Sequence, residues 1–151
     1  MPSDQPSELD LFHELSFYTL AHGDPAFLHQ HAVDAFEAQQ ATPATKPIAV
    51  VFGLVGLYLH VEKQFTGRQV QKVHMQLANR RKGWTMPPLP PERGSERDSA
   101  RGSIRVADVL AASPGPARDA MIHRWCETVW EAFHASRAEI AQLLATELDI
   151  V

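Results

Sequence analysis

Eight histidines in a chain of 151 residues are the side chains best equipped for chemistry here. Imidazole titrates near neutrality, carries protons, and is the commonest side-chain ligand for divalent transition metals. The eight are His13, His22, His29, His31, His60, His74, His123 and His134, spread along the chain rather than gathered as a tag. At 100° per residue, His31 falls inside an apolar arc between Phe27 and Ala35, with Asp34 at its edge. His29 falls on the other side, beside Val33 and Phe36. Ala49, Gly53, Gly56 and His60 share one narrow stripe, where small residues admit a second backbone and His60 ends the seam. Glu62 points nearly opposite His60, so the two cannot share a metal as neighbours on a regular helix. His74 borders the face formed by Val70, Leu77 and Ala78.

Inward imidazoles from several helices, with a carboxylate one turn away, are the ligand types of Zn, Fe or Mn sites in helical bundles. The geometrically compatible set is His31, Asp34, His60 and His74. Such a metal, left with an open position, would activate water, making hydrolysis of a small substrate the default reaction. The alternative is that these are core histidines hydrogen-bonded to Asp34, Glu62, Tyr58 or backbone carbonyls. No His-Glu-x-x-His or Glu-x-x-His occurs, and neither a nucleophile elbow nor a phosphate-binding glycine loop is present. Cys126 has His123 three residues before it, but its apolar neighbours Trp125 and Val129 point to a buried, inert thiol. Arg68 and Lys72, with Arg80-Arg81-Lys82, are the anion-binding candidates, and the basic end also suits a helix C-terminal dipole.

The elements that position these residues read as helices, because apolar residues recur at three and four and nowhere alternate. The expectation is an all-α compact bundle of about five principal helices. Ser7 starts the first, which ends near Gly23, and Asp24-Pro25 opens a second to about Gln40. Thr45-Lys46-Pro47 opens a third to about Lys63, apolar almost all round and therefore central. Thr66-Gly67 opens a fourth to about Lys82. Residues 83–103, rich in proline, glycine and charge, form a long loop, and 1–6 a disordered tail of what is otherwise a single domain. A short helical turn spans Ile104–Ala112, and a last long helix runs from about Pro116 to Glu147.

Charge is uneven: one Lys against eight acids over residues 1–62, ten Lys/Arg against three over 63–105, three Arg against seven over 106–151. With a net charge of -4, this is no coat for nucleic acid, and the basic middle reads as neutralising its neighbours. One cysteine, no leader-like start and a longest apolar run of only Ile48–Leu59 point to a cytoplasmic protein outside the membrane. The Trp84–Pro91 segment leaves apolar side chains outside any helix, where they cover the bundle or meet a partner. The leading expectation is thus a non-enzymatic binding or interaction domain, working as a homodimer, with the metal-dependent bundle as alternative.

The stretches His29-Gln30-His31-Ala32-Val33-Asp34-Ala35-Phe36 with Gln39, Gly56-Leu57-Tyr58-Leu59-His60-Val61-Glu62-Lys63, and Val106-Ala107-Asp108-Val109-Leu110 resemble the uncharacterised bacterial domain-of-unknown-function family 5946. The likeness runs over roughly residues 9–147, with His29, Asp34, Phe36, Gln39 and Glu62 on the family's pattern. Gln40 stands where the family commonly has His, and the Cys-rich N-terminal segment of some members is missing, which removes a zinc-ribbon reading. The resemblance implies a compact helical domain and marks His29, Asp34 and Glu62, without implying a reaction.

Overall fold

A computed structural model describes residues 6–87 and 101–151. Every regular element within them is helical: α1 (Glu8–His22), α2 (Leu28–Gln39), α3 (Pro47–Lys63), α4 (Gly67–Asn79), α5 (Val106–Ala111), α6 (Pro116–Ala132) and α7 (Arg137–Leu148). Single 3-10 turns follow α4 at Arg81–Gly83 and α6 at His134–Ser136. The expected tail, but for Pro6, and most of the expected 83–103 loop lie outside the described residues.

Helix starts follow local chemistry. The Ser7 hydroxyl accepts from the Asp10 amide while the Asp10 carboxylate accepts from the Ser7 amide, both at 3.1 Å, so two orphan donors of α1 are satisfied together. Thr66 and Gln69 repeat the device for α4. Pro47 begins α3 behind an extended Lys46, and Gly23, at φ 67°, closes α1. The second helix departs from expectation. Asp24 does not cap it directly, because Asp24–Phe27 forms a turn (Phe27 N–H to the Asp24 carbonyl, 3.1 Å) and α2 begins only at Leu28. The Asp24 carboxylate still serves the helix, accepting from the Leu28 amide at 3.0 Å. That turn lies against the start of α4, where the Arg68 amide donates to the Ala26 carbonyl.

Apolar nearly all round, α3 occupies the centre, with Val51, Leu54, Val55 and Leu59 fully buried and α2, α4, α6 and α7 packed on it. The expected single helix over 116–147 is two helices. Phe133 leaves helical geometry (φ -105°, ψ 18°), the 3-10 turn follows, and α7 turns back so that Ile140, Leu143 and Leu144 are buried beside α3 and α4. The same-face period runs from Trp125 through Phe133 and the buried Ser136 to Ile140 and Leu144, which hides the break.

Trp84 is buried, its indole N–H donating to the Leu77 carbonyl at 3.0 Å, and Met86 packs on the core. The described part of the Trp84–Pro91 segment therefore covers the bundle, and Pro88–Pro91 lie outside the described residues. No helix among the described residues is long and apolar enough to cross a membrane.

Candidate functional site: an imidazole cluster between three helices

The small-residue stripe of α3 is where α2 comes closest. A Cβ at Gly53 would meet the Asp34 carbonyl at 3.3 Å and lie near Glu37 and Ala38, and one at Gly56 would collide with the Asp34 carboxylate. Going up α3 thus means going down α2, and one turn beyond Gly56 the seam brings His60 onto His31. Their rings stack with centroids 3.7 Å apart and 19° between planes. A third imidazole arrives from α6: His123 Nδ1 lies 2.9 Å from His60 Nε2.

Electrostatics keep the two inner rings neutral. Burial, and secondarily the neighbouring imidazoles His60 and His123, push His31 down to about 3. Burial and His123 push His60 to about 4, a hydrogen bond from its ring to the Phe65 backbone opposing them. At neutral pH both rings therefore offer lone pairs with no proton to displace. His31 is 3% exposed, and its Nδ1 is buried without a hydrogen-bond partner. Such an orphan normally costs stability.

The cluster heads a cleft of about 510 Å³ lined also by Asp24, Gln64, Thr66, Asp119 and Glu127. Among the described residues no Lys or Arg lines it. The Asp24 carboxylate accepts from the Leu28 amide at 3.0 Å, and Asp119 accepts from the Tyr18 hydroxyl at 2.7 Å. Among the described residues, no group of three or more His, Cys, Asp or Glu side chains is placed so that it could hold a metal ion without rearrangement.

Of the residues singled out from sequence, only His31 and His60 meet here. Asp34 is one turn on, 2% exposed, with Oδ1 accepting from Gln30 (3.1 Å) and Oδ2 unpartnered beneath α3. Burial raises its carboxyl well above the usual carboxylate range, against the Gln30 hydrogen bond. His74 is elsewhere, its Nε2 2.8 Å from the Phe52 carbonyl and its ring stacked on Phe52. His29 meets the Thr19 hydroxyl at 2.8 Å. Glu62, facing away from His60 as its spacing requires, takes Trp130 Nε1 at 2.7 Å and Arg137 at 2.6 Å, and the Arg137 contact chiefly holds its carboxyl below the ordinary value. All three have partners within the fold, and the His74 contact with a backbone carbonyl is of the kind anticipated for a core histidine. Arg68 lies over the Phe27 ring at 4.3 Å and Lys72 is exposed. Cys126 is buried, its thiol pushed up by burial.

Sequence reasoning paired His123 with Cys126 and so missed its part in the cluster. The signal was present as a stripe at i, i+4, i+8: Asp119, His123 and Glu127 share one face of α6, and all three line the cleft.

The fold and site define an all-α domain with an imidazole cluster at the junction of three helices. Over residues 8–134 the sequence matches a family of unknown function, DUF5946, and the chain belongs to that family. Comparison with curated proteins and with solved structures finds no match.

Proposed function

We propose that this domain binds a divalent transition metal, Zn, Fe or Mn, through His31, His60 and His123, and presents it to the cleft for hydrolysis of a small substrate. The observation that carries this reading is the 2.9 Å between His60 Nε2 and His123 Nδ1. Ligand nitrogens in a tetrahedral zinc shell stand about 3.3–3.4 Å apart, given bonds of about 2.0–2.1 Å, so a slight opening of the pair admits an ion. The third ring must turn out of its stack on His60, and the partnerless His31 Nδ1 loses no hydrogen bond when it does. The Phe65 hydrogen bond gives the His60 ring the outer support that metal-bound histidines use to hold their orientation. A single cysteine fits a cytoplasmic setting for this site. Metal analysis of tag-free protein purified without chelator tests the reading: about one equivalent per chain, lost in His60→Ala and in His123→Ala, is expected. Metal-free protein that takes up none of the three ions would refute it.

A second reading, contact with another copy of the chain, is favoured by one observation. Leu9, Phe17 and Leu20 of α1 are 52%, 77% and 57% exposed and face the same side. Light scattering of the parent and Phe17→Glu decides it: a dimer that dissociates on substitution supports it, and a monomeric parent refutes it.

A further inference from the structure

We infer that the cleft beside the imidazole cluster is a binding site for a small organic cation, an ammonium or guanidinium head carried on an apolar body. The site stands without a metal ion, and where the metal reading holds it names the charge of the substrate. Its first ground is the chemistry of the walls. The cleft holds about 510 Å³, within the range of about 300–1,000 Å³ that small-molecule sites occupy. Asp24, Asp119 and Glu127 line it, and among the described residues no Lys or Arg does. Leu28, Val61 and Phe65 supply apolar wall. A cationic head therefore meets acceptors of opposite charge, and an anion meets like charge.

The second ground is how the three carboxylates are held. Asp24 accepts from the Leu28 amide at 3.0 Å and Asp119 from the Tyr18 hydroxyl at 2.7 Å, so the fold fixes where both stand. Asp24 precedes α2 and Asp119 lies in the first turn of α6, where helix dipoles offset part of their charge. Glu127 lies about three turns into α6, beyond the reach of the positive end of its dipole. It has no hydrogen-bond or ion-pair partner among the described residues, which leaves its charge open to a ligand. The third ground is independent of charge. His31 is 3% exposed, lines this cleft, and has an Nδ1 without a hydrogen-bond partner. Buried ring nitrogens are normally satisfied, and a ligand N–H in the cleft satisfies this one in the tautomer whose lone pair is on Nδ1.

The test titrates metal-free protein, treated with EDTA, with benzylammonium, benzyl alcohol and benzoate, three probes of similar shape and different charge, followed through backbone amide NMR shifts. Benzylammonium is expected to bind at least about fivefold more tightly than benzyl alcohol and to move the amides of Leu28, Val61, Phe65 and His123, while benzoate moves none of them. Glu127 is exposed, so Glu127→Gln is expected to keep the parent's circular dichroism and melting temperature and to bind benzylammonium at least about threefold more weakly. Glu131→Gln, at an exposed acid of α6 that does not line the cleft, is expected to match the parent. Benzyl alcohol or benzoate binding as tightly as benzylammonium would overturn the inference. So would benzylammonium that moves amides elsewhere, or that binds Glu127→Gln as it binds the parent. The metal reading is judged apart: a parent that takes up a divalent ion without preferring benzylammonium defeats this inference alone. A parent that prefers benzylammonium yet takes up none of the three ions upholds the cation site and defeats the metal reading.

Discussion

The Asp34 carboxylate fills the space that a side chain at Gly56 would need: an ideal Cβ on Gly56 would stand 1.8 Å from Asp34 Oδ2. This one fit sets the α2–α3 seam that stacks His60 on His31. Asp34 is buried and short, with little room to withdraw. Gly56→Ala is therefore expected to destabilise the fold by about 1–3 kcal/mol, the usual range for overpacking, or about 3–10 °C in melting temperature for a chain of this size. Adding Asp34→Ala removes the obstruction, so the double variant should melt above Gly56→Ala alone. Strictly additive losses would show that the two residues do not meet.

Stability should fall as the solution is acidified from neutrality. His31 and His60 take protons near 6.5 when unfolded, yet only at about 3 and about 4 in the fold. The unfolded chain thus binds more protons across that window, and the stability these rings contribute above pH 6.5 is lost as pH falls through it. Asp34 has the opposite sign: its raised carboxyl keeps a proton in the fold above the unfolded value of 3.8, so its contribution falls as pH rises. Burial also holds His29 and His74 below their ordinary value, so four imidazoles oppose one carboxyl and the net is loss in acid. Melting temperatures between pH 7 and 4.5 should decline, and His31→Phe, which keeps a ring in the stack but removes its titration, should flatten the decline. A profile as steep in His31→Phe as in the parent would contradict this.

Gln39 joins three elements through one buried amide. Its Nε2 donates to the Ile104 carbonyl at 2.8 Å and the Arg101 carbonyl at 3.3 Å, and its Oε1 accepts from Trp125 Nε1 at 3.0 Å. Gln39→Leu leaves the indole N–H of a fully buried tryptophan without its acceptor, at a cost of about 2–3 kcal/mol. Urea unfolding followed by tryptophan fluorescence checks it, and an unchanged midpoint would show that water or a shifted neighbour replaces the amide.

Helix existence was written in local chemistry that one sequence displays: Ser7 with Asp10, Thr66 with Gln69, Pro47 behind Lys46. The seam was equally open to reading, since Gly53, Gly56 and His60 share a stripe whatever packs on it. Two things were hidden. The break after α6 falls where the same-face period runs on from Phe133 to Ile140, and its trace is Ser136 followed three residues later by Glu139, the spacing of a helix start. The site's membership was hidden because periodicity fixes which face a residue is on but not which distant helix meets it. His74 and His31 looked alike in sequence, yet α4 turns His74 onto the Phe52 carbonyl while α6 brings His123 to His60.

The central claim, that His31, His60 and His123 act together as metal ligands, is tested most directly by the ring-nitrogen NMR shifts of the eight histidines during titration with Zn(II) at pH 7. The account predicts that one ring nitrogen in each of His31, His60 and His123 moves to a metal-bound shift, saturating together at one equivalent. His29 and His74, held by Thr19 and by the Phe52 carbonyl, should stay where they are. Zinc that leaves these three rings unmoved, or that shifts His29 or His74 in their place, would contradict it.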